Sequence, residues 1–190
     1  MKSAAVWMRE FGEAPPDQGL GILRTLLLSA LVGVAAGLGA VLLVSMLQVS
    51  EWFFLERLAH FNPGVPVGEP VMFKHLPAAT GEINRWVLLI LPMVGAFISS
   101  LIVIKFAPEA EGHGTDAAIE AYHFRGGKVR PIVPPVKAIA TSLLIGTGGS
   151  AGCEGPITQI GSGFGSVLAT ALRLPVSQRR VLMAAGMGAG

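Results

Sequence analysis

The chain has 190 residues, of which 52% are hydrophobic and only 14% charged, with a mean hydropathy of +0.62. Soluble domains carry roughly a quarter charged residues, so this composition excludes an ordinary soluble globular protein and points to a lipid bilayer. The 14 bases and 12 acids leave a formal charge of +2 with the bases scattered, which excludes a nucleic-acid surface and fits the flanks of membrane spans.

Residues 1–19 read as a cytosolic lead-in. They contain Glu10, Glu13 and Asp17, unlike the basic start of a cleaved signal peptide. Thr25 to Leu47 follows as 23 uncharged residues, long enough to span and to extend by a turn at each end. Its Gly33-x-x-x-Gly37 spacing predicts close approach of a second helix. Asn62 to Arg85, with Pro63, Pro66, Pro70 and Pro77, reads as a loop outside the hydrocarbon. Trp86 to Ile104 is a second uncharged span with Trp86 as interfacial anchor, kinked or interrupted at Pro92.

Lys105 to Lys137 holds five Lys/Arg and four Asp/Glu, and a short helix is expected over Asp116 to Phe124. The positive-inside rule puts this segment and the N-terminus in the cytoplasm. The remainder reads as two apolar pieces broken at Glu154, then a Gly/Ala-rich helix after Leu174-Pro175. The expected division is therefore the lead-in over 1–19 and a transmembrane region over 20–190, with spans at about 22–50, 86–105, 134–150, 155–172 and 178–190. The chain stops inside the apolar run Val181 to Gly190, as a fragment of a longer protein would.

Glu154 carries the chemistry. Ala138 to Cys153 and Gly155 to Leu172 are both uncharged, so its carboxylate must face protein, water or an ion. Two glycine-rich helix starts flank the basic segment: Gly112-His113-Gly114-Thr115-Asp116 and Gly152-Cys153-Glu154-Gly155-Pro156, with Pro156 expected at the first helical position. Each presents backbone N–H groups and a positive dipole end, which suits an anion. An ionised carboxylate can occupy the same position, so Glu154 reads as a gate that opens on protonation or displacement. His113 reads first as a solvated or capping residue and second as an ion ligand, and Asp116 as a first-turn acid. No metal site or catalytic set is expected, because Cys153 has no partner cysteine and no histidine near it in sequence.

Gly152-Cys153-Glu154-Gly155-Pro156 and the following Ile157-Thr158-Gln159-Ile160-Gly161 resemble the G-[RK]-E-G-P-x-x-Q-x-G signature of the CLC chloride channels and proton/chloride antiporters. Gly112 to Asp116 lies where that family has a G-S-G-I-P loop, Val136-Lys137 matches a V-K pair, and Met183 to Gly190 resembles the next Gly/Ala-rich helix. The resemblance implies an all-α integral membrane protein, a multi-span helical bundle with broken helices forming the first part of a CLC-type inverted-repeat fold. It implies Glu154 as gate, anion binding by Gly112, His113, Gly114, Cys153, Glu154 and Gly155, and helix-start roles for Asp116, Gly152 and Pro156. It further implies bound chloride without a cofactor, chloride or other small anions and protons as ligands, and a homodimer in the cell membrane when full length. Three departures stand out: His113 replaces a serine, Asp116 a proline and Cys153 a basic residue. Channel or antiporter, and chloride or another anion, stay open. The competing readings are a membrane-embedded enzyme using Glu154 as acid/base, and a non-conducting structural or regulatory fragment.

Overall fold

The computed structural model describes residues 18–64 and 81–190, and their side chains from Gly21 onward. Those residues form helices and turns without a strand, as the sequence predicts. Most of the lead-in, with Glu10, Glu13 and Asp17, and most of the Pro-rich loop, with Pro66, Pro70 and Pro77, lie outside the described residues.

Helix α1 runs over Gln18–Glu51 and continues as a π-helical stretch over Trp52–Leu58. Its 34 α-helical residues measure about 51 Å, well beyond a 30 Å hydrocarbon core. It therefore tilts or protrudes if it crosses a bilayer. α2 covers Arg85–Phe106, and Asn84 caps it by accepting the Val87 N–H at 3.3 Å. The Asn84 N–H also donates to Ala59 O at 3.0 Å, which joins the end of α1 to the start of α2.

Of the kink or interruption expected at Pro92, the interruption does not occur: α2 is continuous through it. Its inner face is the stripe Gly95, Ser99 and Val103, spaced four residues apart. Ser99 Oγ donates to Ala140 O at 2.8 Å, and a Cβ on Gly95 would lie 1.9 Å from Thr147 Oγ1. The opposite face leaves Leu89, Met93, Phe97, Leu101 and Ile104 more than half exposed, the pattern of a helix facing lipid.

Four shorter helices complete the fold: α3 over Thr115–Phe124, α4 over Val133–Gly146, α5 over Glu154–Ala171 and α6 over Val176–Ala189. α4 is largely buried and α5 is central, packing on α1, α4 and α6. The α5–α6 contact is made backbone to backbone. A Cβ on Gly161 would lie 2.1 Å from Gly186 O, and one on Gly165 would lie 2.2 Å from Leu182 O. This is the small-residue packing that apolar surroundings require, since lipid supplies no hydrophobic drive for helix association.

Three sequence expectations need correction. The Gly33/Gly37 pair is not a tight seam: Gly33 meets Ala189 at an ordinary 3.7 Å and Gly37 has nothing within 4 Å. The close approach on α1 is at Gly39, where a Cβ would meet the Phe164 ring at 2.6 Å. The span expected to 150 ends at Gly146, because Gly148 (φ +94°) reverses the chain. Its N–H bonds Ile145 O and the Gly149 N–H bonds Leu144 O, a Schellman stop. Finally, α5 starts at Glu154, so Pro156 is its third residue and not its first.

Candidate functional site

The sequence places two glycine-rich helix starts 40 residues apart, and the fold sets one upon the other. Gly112 (φ +73°) and Gly114 (φ +103°) adopt backbone conformations that L-residues avoid, and Gly114 precedes α3 as its N-cap. The loop so formed lies against the start of α5. A Cβ on Gly155 would come within 2.2 Å of His113 Nδ1 and 2.3 Å of His113 O. A Cβ on Gly114 would come within 2.9 Å of both Gly155 O and Gln159 Oε1. Only glycine at 114 and 155 permits this contact.

At the start of α5 the first intrahelical bond is Ile157 N–H to Cys153 O at 3.0 Å. The amides of Glu154 and Gly155 precede it, Pro156 has no N–H, and no side chain caps the helix. The amides thus keep the donor geometry that suits an anion. Glu154, His113, Gly112, Gly152 and Asp116 are exposed, while Gly114, Gly155 and Pro156 are buried. Cys153 turns the other way: it packs with Leu43, Leu47, Ala138 and Ile160. The predicted residues are therefore brought to one place, with Cys153 contributing backbone and an apolar backing.

Two residues that the sequence reading left without a role hold the loop in place. Lys137, 4% exposed near the start of α4, donates from Nζ to Ala110 O at 2.9 Å and to Gly112 O at 2.6 Å. Gln159, 2% exposed one turn into α5, donates from Nε2 to Glu109 O at 2.8 Å. The signal for Lys137 is weaker than for Glu154: it closes the charged segment and is followed by the uncharged run Ala138 to Cys153. Beside Gly112 and Gln159 an open cavity of about 1070 Å³ is bordered by Glu111, Asp116, Lys128 and Arg130. At its edge Arg130 pairs with Glu109 and holds that carboxyl below the usual carboxylate range.

A family model described as voltage gated chloride channel matches residues 95–190, which contain the whole of this arrangement. The chain belongs to the voltage gated chloride channel family. It is similar to the H(+)/Cl(-) exchange transporter ClcA of Cronobacter sakazakii, 30% identical over 176 residues that cover 88% of this chain and 33% of the relative. The protein of the same name from Salmonella arizonae is 37% identical over 109 residues, covering 53% of this chain and 21% of that relative. The chain thus spans a third or less of these relatives. The family consists of membrane channels and transporters, which corrects the membrane-enzyme alternative.

Proposed function

We propose that this chain supplies the gate and one side of the anion path of a proton-coupled chloride transporter. The observation that carries this reading is the seating of the Gly112–Gly114 loop on Gly155, which converges two helix starts beside the Glu154 backbone. Neither start brings an exposed lysine or arginine to the path, and partial charges bind a halide weakly enough to release it. Glu154, the first residue of α5, is the anion surrogate. Ionised, its carboxylate competes for the helix N-terminus; protonated, it withdraws and admits the anion. His113 borders the same path in place of a hydroxyl. The similarity to proteins named as exchangers favours exchange over a passive channel.

In this reading chloride and protons are the ligands, no cofactor takes part, and the full-length protein is a homodimer in the cell membrane with its N-terminus in the cytoplasm. The experiment is chloride efflux from liposomes holding the full-length protein, with external pH recorded. Chloride movement accompanied by opposite proton movement is expected. Absence of halide flux from well-folded protein sinks the reading.

A further inference from the structure

The end of the molecule opposite the Ala59–Asn84 junction carries a basic surface that the transport reading does not use. Residues 120–129 and 172–180 contain five Lys/Arg and a single acid, Glu120. That acid is already paired with Arg125 at 2.9 Å. The two segments are one surface. Arg179 donates to Gly126 O at 3.2 Å and to Leu174 O at 3.4 Å, and Arg180 donates to His123 O at 3.2 Å and lies over the Tyr122 ring. Val176 lies 3.6 Å from where a Cβ on Gly126 would sit. Lys128 and Arg173 stand exposed beside them. Arg24 belongs to the same end, one turn before Leu28, which packs in a cluster with Leu174 and Leu182.

The partners of Arg179 and Arg180 are carbonyls and a ring. Arg179 is only 7% exposed; its two terminal nitrogens donate to carbonyls, its Nε has no partner among the described residues, and neither bond neutralises its charge. Charge taken out of water and left uncompensated is costly, so an anion at this surface is favoured. Apolar side chains are interleaved with the bases: Phe124 is 85% exposed, Val176 45% and Leu172 43%. A soluble phosphate has no use for them. Bases and exposed apolar groups interleaved beside the Arg24 end of the membrane-length helix α1 match the headgroup level of a bilayer, where a phosphate meets acyl chain.

We propose that the α3–α4 turn and the start of α6 bind the phosphate headgroup of an anionic phospholipid, with Lys128, Arg173 and Arg180 meeting the phosphate and Phe124, Leu172 and Val176 the acyl chains. The proposal is independent of the gate, so it stands or falls whatever the flux result.

The test uses full-length protein in neutral detergent and reads the thermal unfolding midpoint against added short-chain phosphatidylglycerol, short-chain phosphatidylcholine or inorganic phosphate. The variant is Lys128→Ala with Arg173→Gly. Arg173 has a φ of +53°, so glycine removes its charge without adding backbone strain. Phosphatidylglycerol is expected to raise the midpoint of the native protein while the other two additives do not. The double variant should need at least fivefold more phosphatidylglycerol for the same rise, and Arg85→Ala, exposed at the start of α2 beside the Ala59–Asn84 junction, should not. An equal rise with phosphatidylcholine or inorganic phosphate overturns the proposal, as does a double variant that folds and responds like the native protein.

Discussion

The His113 ring and main chain lie against the Cα of Gly155: a Cβ there would come within 2.2 Å of the ring Nδ1 and 2.3 Å of the carbonyl oxygen. This contact brings two helix starts that are distant in sequence to one anion-sized place. Because one of the clashing atoms is backbone, it has no rotamer to escape into. Gly155→Ala should therefore displace the 112–114 loop, costing about 1–3 kcal/mol and weakening chloride binding. Gly152→Ala is the control, since a Cβ at Gly152 meets nothing within 4 Å. Thermal unfolding and isothermal titration with chloride, made on both variants, check the pair. Equal behaviour of the two variants would contradict the seated loop.

Lys137 should prove structural as much as electrostatic. Lys137→Met keeps much of the side-chain volume but leaves Ala110 O and Gly112 O without the Nζ donor that now satisfies them. An unsatisfied buried acceptor costs about 1–3 kcal/mol, so a loss of about 2–4 kcal/mol is expected. Lys137→Arg should recover part of the stability. A melting temperature unchanged in the methionine variant would remove Lys137 from the frame of the site.

The α5–α6 seam should be intolerant of a single methyl group. Gly161→Ala and Gly165→Ala would each press a carbon against a backbone carbonyl of α6, at 2.1 and 2.2 Å in the present geometry. Each should lower stability by about 1–3 kcal/mol even though alanine is the better helix former. Gly188→Ala, with open space around it, should be neutral or slightly stabilising. Denaturation in detergent distinguishes the three.

The Glu109–Arg130 pair predicts an acid limb in stability. Arg130, hydrogen-bonded to the Glu109 carboxyl, lowers its pKa from the ordinary 4.5, so the folded state favours the ionised form. That contribution is present above the unfolded pKa and is lost as pH falls through the lower folded value. Arg130 is half exposed, so the effect is small. The melting temperature of the native protein should fall more steeply below about pH 4.5 than that of Glu109→Gln. Identical pH profiles would show that the pair contributes nothing.

Much of this arrangement is legible in the sequence, for identifiable reasons. The α1 and α2 spans and the break at Glu154 follow from uncharged runs and their interruptions. α3 begins at Thr115, one residue before the predicted start, and α6 follows Leu174-Pro175 as predicted. What stayed hidden depends on contacts distant in sequence. Nothing local distinguishes Gly39, which receives the Phe164 ring, from Gly37, which receives nothing. The roles of Lys137 and Gln159 depend on which carbonyls the fold brings to them, 25 to 50 residues away. Pro156 stands third in α5 because the whole first turn of a helix tolerates a residue without an N–H, so the proline alone does not fix the first residue.

The central claim is that the Glu154 carboxylate gates an anion path by competing at the α5 N-terminus. Its most direct measurement is chloride efflux from liposomes across pH 4 to 8, comparing the full-length protein with Glu154→Gln. The amide is a permanent stand-in for the protonated acid, so efflux should persist, lose its dependence on pH and no longer move protons. Flux and pH dependence both unchanged in Glu154→Gln would contradict the account.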